Sequence, residues 1–267
     1  MEKIGLIAGN RRFPIIISEG ARRKGVSIVC VAVKGETSPG IRKYVDKTYW
    51  LPLSEFGRLF QIFKDEGVKK IIMAGQISPW RLFSREVKKS KEIQELLDSI
   101  KDRKANTIFA ALAKKLEAQG LELIDSTTFL EDFLPRKGTL TKREPASSEW
   151  EEIHFALDLA KVIAGLDIGL TVAVKNKAVV AVEALEGTDN LIRRAGRLAN
   201  EGIVVVKVGR PKQDMRFDIP VVGLETVKNL VKAKAACLAI EAGKTLFIDM
   251  QQSIMLADKR GIAIVAV

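Results

Sequence analysis

The sequence predicts a two-domain α/β protein, with an N-terminal Rossmann-like parallel-sheet domain and a second, C-terminal α/β domain. Three observations lead to this. Short β-branched runs alternate with helical patterns in the first half. Between Pro135 and Ser148 the pattern breaks into turn formers and basic residues without periodicity. A second alternation then runs to the end of the chain. The expected organisation is a first domain over 1–135, a linker over 136–148 and a second domain over 149–267.

In the first half, the expected strands are Lys3–Ala8, Ser27–Val33, Lys70–Ala74 and Leu121–Ile124. Helical stretches are expected near Pro14–Lys24, Glu55–Glu66, Lys91–Arg103 and Thr107–Ala118. The last of these places Ile108, Ala111, Leu112 and Leu116 at helical spacing. After the break, Ser148 with Glu149 and Glu151 fits a helix start, and Trp150, Ile153, Leu157 and Val162 form an apolar stripe ending near Gly165. Strands follow at Leu170–Lys175, Ala178–Glu183, Ile203–Val208, Cys237–Ile240 and Ile262–Val267. Asn176-Lys177 joins the first two as a hairpin, and Leu191–Ala199 reads as a helix.

With 267 residues, 47% of them apolar, the chain can build packed cores. No apolar run reaches the roughly 18 to 20 residues of a membrane span. The start passes straight into a strand without the parts of a signal peptide, so the expected location is the cytoplasm. Cys30 and Cys237 lie in apolar runs without CxxC or a His cluster and read as buried, reduced thiols. The net charge of +11 favours polyanionic partners. Scattered basic residues and only 6% aromatics argue against nucleic acid.

Two loops after strands form the first candidate site. Gly5-Leu6-Ile7-Ala8-Gly9-Asn10-Arg11-Arg12-Phe13-Pro14 runs from a strand into a helix that Pro14 can open, offering free N–H groups to an anion. Ala74-Gly75-Gln76-Ile77-Ser78 repeats the placement after another strand, and both loops should line one crevice at the carboxyl ends of the sheet. A plain tight turn and a phosphate or ribose contact both remain open. An NAD site is disfavoured, since GxGxxG is missing and Val33-Lys34-Gly35 carries no acid at the end of the next strand.

In the second half, Thr188 and Asp189 enter a helix from Glu183-Ala184-Leu185-Glu186-Gly187, either as caps or as metal- or water-binding groups. Asp214-Met215-Arg216-Phe217-Asp218-Ile219-Pro220, if extended, puts Asp214, Arg216 and Asp218 on one face. Carboxylates can hold Mg²⁺ or take a proton from water, and a guanidinium can stabilise phosphate charge. A solvated edge strand with surface ion pairs is the alternative. Lys207 and Lys212 fit either reading. His154, the only histidine, sits beside Phe155 in a helix and reads as structural; HExxH, CxxC and Walker motifs are absent.

Taken in order and spacing, Ile4–Pro14, Ala74–Ile77, Glu186–Gly196 and Val205–Gly223 resemble the LpxI-type UDP-2,3-diacylglucosamine pyrophosphatases of lipid A synthesis. EGTDNLIRRAG and KVGRPKQDMRFDIPVVG are the most specific segments, supported by GTLTKREP and EAGKTLFID. The resemblance implies a Rossmann-like domain joined to a catalytic α/β domain, with substrate between them. It also implies Mg²⁺-assisted hydrolysis to 2,3-diacylglucosamine 1-phosphate and UMP, with water attacking the β-phosphorus. Carried onto this sequence, it makes Asp189, Asp214 and Asp218 the metal ligands and general base, in roles it does not divide. Arg216, Lys207 and Lys212 would meet phosphates, and Gly9, Asn10, Gly75, Gln76 and Thr188 the nucleotide or sugar. Trp80, Leu82 and Phe83, or Phe129, Leu130, Phe133 and Leu134, would serve the acyl chains. A peripheral contact with the inner face of the cytoplasmic membrane and a homodimer are further expectations. The rival of a different class is a non-catalytic nucleotide-sugar-binding or regulatory module; an NAD-dependent oxidoreductase and an RNA-binding protein are weaker alternatives.

Overall fold

The computed structural model describes residues 2–78, 81, 84–102, 105–217 and 219–267. The chain is α/β and divides into two compact units, one of residues 1–131 with 214–218, the other of 132–213 with 219–267. The segment carrying Asp214 and Arg216 therefore belongs to the first unit although it lies far along the chain.

The first unit is built on five parallel strands: β1 (Lys3–Ala8), β2 (Ser27–Val33), β3 (Lys47–Leu51), β4 (Lys70–Ala74) and β5 (Glu122–Leu123). Their order is β3-β2-β1-β4-β5, which reverses direction between β1 and β4. Ligands of open parallel sheets bind at such a switch point, outside the carboxyl ends of the strands. Helix α1 (Phe13–Arg23) follows β1 with Pro14 in its first turn, where the missing N–H costs nothing, and buries Ile16, Ile17 and Ala21. Phe63 of α2 (Arg58–Asp65), with Leu112 and Leu116 of α5 (Ala105–Glu117), joins Ile7, Val29 and Ile71 in one core. Between them lie α3 (Arg85–Lys89) and α4 (Lys91–Asp98), each capped by a serine hydroxyl, Ser84 and Ser90. Cys30 is buried and free, and its burial pushes the thiol up to about 12, as an inert core residue requires.

Over residues 214–217 the extended geometry considered from the sequence does not form. Arg216 N donates to Asp214 Oδ1 at 3.0 Å and Phe217 N to Asp214 O at 3.3 Å, so residues 214–217 make a turn locked by the aspartate side chain. Phe217 anchors the turn by burying its ring in the core, 5.4 Å from Phe109 between centroids. Asp218 lies outside the described residues.

The second unit holds a six-stranded sheet in the order β6-β13-β11-β9-β7-β8. It comprises β6 (Gly138–Thr139), β7 (Thr171–Lys175), β8 (Ala178–Val182), β9 (Val204–Lys207), β11 (Cys237–Ile240) and β13 (Ala263–Ala266). Strands β9, β11 and β13 are parallel; β6 and β7 run antiparallel to their neighbours. A separate short pair is made by β10 (Val221–Val222) and β12 (Leu246–Phe247). The period of two shows in β9: Val204 and Val206 pack with Ile153, Ala156 and Ala160 of α6 (Ser147–Gly165). Val205 faces the opposite core, with α7 (Thr188–Ala199), α8 (Leu224–Lys232) and α9 (Met250–Lys259). Asn176 and Lys177, at φ of 52° and 57°, form the tight hairpin expected between β7 and β8. Val162 does not join the buried stripe of α6 but stays 62% exposed, whereas Ala156, Ala160 and Ala164 let the helix approach the sheet closely.

Residues 136–148 pack onto this unit. Leu140 N donates to Ile264 O at 2.8 Å, and Lys142 N to Asp258 Oδ1 at 2.8 Å. Arg143 forks onto Glu149 at 2.8 and 2.9 Å and donates through Nε to Gly261 O at 2.7 Å. Glu149 in turn accepts from Ala146 N at the start of α6. Among the described residues no helix is long and apolar enough to cross a membrane.

Candidate active site

In the first unit, the loops after β1 and β4 meet backbone to backbone at the switch point. Gly9 N donates to Ala74 O at 2.8 Å and Asn10 N to Gln76 O at 2.7 Å. A Cβ on Gly9 would lie 2.4 Å from Gln76 O, and one on Gly75, at φ +81°, 2.4 Å from Asn10 O. Both glycines are thus required by the close approach of the two loops. Beneath them, Glu36, just past β2, accepts from Asn10 Nδ2 at 2.8 Å and from Ser78 Oγ at 3.0 Å. Thr37 fastens the same corner, accepting from Val33 N at 3.0 Å and donating to Ala8 O. Arg11, at φ 65°, holds a left-handed conformation in the same loop.

The 214–217 turn stands at this same carboxyl edge. Ser126, just beyond β5, places Oγ 2.8 Å from Met73 O in β4 and 2.7 Å from Arg216 O. Its N–H donates to Met215 O at 3.0 Å. Arg216 grips Asp214 through Nε at 3.0 Å and Nη2 at 2.8 Å, while Nη1 reaches Glu117 at 3.3 Å. Hydrogen bonds from the Arg216 side chain hold the Asp214 carboxyl below its ordinary range, outweighing partial burial, so it is ionised at neutral pH. Asp214, Arg216, Gly9, Asn10, Gly75 and Gln76 are therefore brought to one edge of one sheet.

The second unit has a cluster of its own at the carboxyl end of β9. Lys207, 4% exposed, donates to Thr188 Oγ1 at 2.6 Å and to Thr171 Oγ1 at 3.4 Å. Thr188 passes the polarity on, donating to Glu183 Oε1 at 3.0 Å. Leu170 N donates to the other oxygen of Glu183 at 3.3 Å, and Lys207 Nζ lies 3.9 Å from it. A buried cation and a buried carboxylate are thereby joined through one hydroxyl, the pairing that burial of charge demands. Thr188 opens α7 behind Gly187, whose φ is +82°, so free backbone N–H groups accompany the cluster.

Asp189, in the same first turn, accepts from Thr226 Oγ1 at 3.2 Å. Neighbouring Glu241, past β11, accepts from Gly209 N at 2.8 Å and from Lys244 at 2.7 Å, and also binds Lys161. Burial pushes the Glu241 carboxyl up, and these hydrogen bonds more than offset it, leaving it below its ordinary range.

Lys207 and Thr188, both expected from the sequence, thus touch each other, whereas Asp189 and Asp214 belong to different units. Lys212 is exposed. Phe129 and Leu130 are buried, as core residues rather than an open apolar surface; Phe133 and Leu134 are half-buried. Trp80, Leu82 and Phe83 lie outside the described residues. His154 is exposed and stacks on Trp150 at 5.8 Å between ring centroids. Glu36, Thr171 and Glu241 are not among the site residues expected from the sequence, whereas Glu183 heads the segment whose acidic groups are candidates for binding metal or water. The only trace of the first three in the sequence is an acid or threonine at the end of an apolar run.

Residues 3–133 match the LpxI N-terminal domain and residues 136–265 the LpxI C-terminal domain. The chain belongs to the LpxI family. A relative from Caulobacter vibrioides, UDP-2,3-diacylglucosamine pyrophosphatase LpxI, is 28% identical over 278 aligned positions covering 100% of this chain and 98% of its own. Solved structures of other enzymes show remote likenesses. Pyruvate carboxylase of Rhizobium etli shares 13% identity at a TM-score of 0.28, over 46% of this chain and 11% of its own. A biotin carboxylase subunit of pyruvate carboxylase shares 14% at 0.26, over 75% of this chain and 42% of its own. Scores this low carry no argument about fold or chemistry.

Proposed function

We propose that this chain hydrolyses UDP-2,3-diacylglucosamine to 2,3-diacylglucosamine 1-phosphate and UMP in lipid A synthesis, with Mg²⁺ as cofactor. The reading rests on the whole-length LpxI match together with one observation: the chain returns to set Asp214 and Arg216 at the carboxyl edge of the first sheet, beside β4 and β5. The donor chemistry suits a hard divalent cation, since Asp214 is ionised and offers only oxygen. When bound, Mg²⁺ would neutralise charge on the phosphate oxygens. Asp214 is the residue proposed to hold it.

Within that scheme Arg216 offers a planar, permanently charged guanidinium to the pyrophosphate. Both Asp214 oxygens already accept from Arg216, which suits a ligand better than a base. Asp218 is accordingly assigned to take the proton as water attacks the β-phosphorus and UMP departs. Gly9, Gly75 and Gln76 shape the nucleotide loop, and Lys212 supplies charge at the rim. The basic balance suits contact with the anionic inner face of the cytoplasmic membrane, where a lipid substrate resides. A cytoplasmic location and a homodimer complete the reading.

The test is UMP release from UDP-2,3-diacylglucosamine by the purified chain, with Mg²⁺ and with chelator. Turnover that stops with chelator and returns with Mg²⁺ is the expected result. Substrate binding without UMP release under any divalent metal would replace the hydrolase with a nucleotide-sugar-binding module.

A further inference from the structure

Glu36 is almost wholly buried, its side chain only 3% exposed, at the carboxyl end of a sheet and beside the switch point. One of its oxygens, Oε2, accepts from Asn10 Nδ2 and Ser78 Oγ. The other, Oε1, has no hydrogen-bond partner among the described residues, and neither has Asn10 Oδ1. Arg81 Nη1 lies 3.7 Å from Oε1 and itself donates to Lys34 O at 3.2 Å. Two buried acceptors, one of them a carboxylate, have thus lost water without gaining a donor, a cost that native structures rarely leave unrecovered. Their cover is loop rather than sheet: Gly75 and Gln76 are exposed and Asn10 is half-buried.

We infer that Glu36 Oε1 and Asn10 Oδ1 form a subsite for the paired hydroxyls of a ligand. The chemistry selects the class. Both atoms only accept, so the ligand must donate; a carboxylate repels phosphate, so the donor is the uncharged, hydroxyl-bearing part. An acid just past the second strand is also the position from which a Rossmann sheet can reach a ribose diol. The inference rests on the proposed reaction, whose substrate carries hydroxyls on its ribose and on its sugar, and it makes Glu36 a specificity residue for one of them. Of the phosphate and ribose contacts left open for the Gly9-Asn10 loop, it selects hydroxyl recognition.

The experiment titrates the full chain calorimetrically with UMP, its 2′-deoxy and 3′-deoxy analogues, and 2,3-diacylglucosamine 1-phosphate, then repeats the series with Glu36→Gln. If the ribose is the ligand, removing either hydroxyl weakens binding to the unaltered protein roughly tenfold, and Glu36→Gln erases that preference. Equal affinity for the three nucleotides, with the sugar phosphate weakened about tenfold by Glu36→Gln, assigns the pair of hydroxyls to the sugar. Absence of both effects overturns the inference. The deoxy comparison uses the unaltered chain, so it stands even where the variant folds poorly. Turnover of UDP-2,3-diacylglucosamine with no hydroxyl effect sinks this inference alone, whereas absence of turnover sinks the proposed reaction.

Discussion

Replacing Lys207 by methionine is expected to destabilise the second unit by about 3–5 kcal/mol, the usual cost of leaving a buried charge without its partner. The effect is large because Glu183 sits in the same buried corner, tied to Lys207 only through Thr188 and a 3.9 Å ion pair. Without Lys207 the buried carboxylate loses its counter-charge, keeping only the bonds from Thr188 and Leu170 N, and that lowers stability. Methionine has a similar length, so loss of packing volume is a minor part. Denaturant midpoints measured for Lys207→Met, Glu183→Gln and the double variant separate the two causes. The account expects the double variant to recover a good part of the loss, as coupled partners do. A Lys207→Met variant within about 0.5 kcal/mol of the parent would mean that the cluster is not the buried network described.

The second large effect concerns Asp214. Replacement by alanine is expected to lower kcat by about 10²–10³-fold, the scale of removing one element of charge stabilisation on the transferring phosphate. Folding should survive, since Asp214 is about one-third exposed and its pair with Arg216 is partly solvent-screened. The buried Phe217 ring and the Phe217 N to Asp214 O bond hold the turn beside the carboxylate, and both survive the substitution. Asp218→Ala should fall as far, and steady-state kinetics beside a circular-dichroism melt would show whether loss of activity precedes loss of fold. Parent-like turnover in a folded Asp214→Ala protein would remove the 214–217 turn from the reaction.

Much of the first sheet is legible in the sequence because parallel strands covered on both faces read as unbroken apolar runs. Lys3–Ala8, Ser27–Val33 and Lys70–Ala74 coincide with β1, β2 and β4 for that reason. Strand β3 escapes notice because Lys47-Thr48-Tyr49-Trp50-Leu51 lies at the sheet edge, with all but Leu51 at least half-buried or exposed. The short β6, β10 and β12 have two residues each, below the length at which periodicity can be seen. Helices α8 and α9 also go unassigned, because their buried faces carry the polar Thr226, Asn229 and Ser253, which blur the helical period.

The site is legible only in part, since its contacts join residues far apart in the chain. A period-two pattern in Asp214–Asp218 suggests a strand, but an aspartate that bonds the N–H two residues on makes a turn instead. Nothing local to that stretch tells that Phe217 would be buried beside Phe109. Glu36 stands one residue beyond the strand end searched for an acid, displaced by the turn that Gly35 makes at φ +79°. Glu183 reads as the last residue of a strand, heading a segment of candidate acids, until the fold sets Lys207 and Thr188 beside it.

The reaction itself is tested most directly by incubating the unaltered chain with UDP-2,3-diacylglucosamine and Mg²⁺ in ¹⁸O-water and weighing both products. The account predicts unlabelled UMP and a 2,3-diacylglucosamine 1-phosphate carrying one ¹⁸O, since water joins the β-phosphorus. Label in UMP would contradict the direction of attack, and release of neither product would contradict the hydrolase itself.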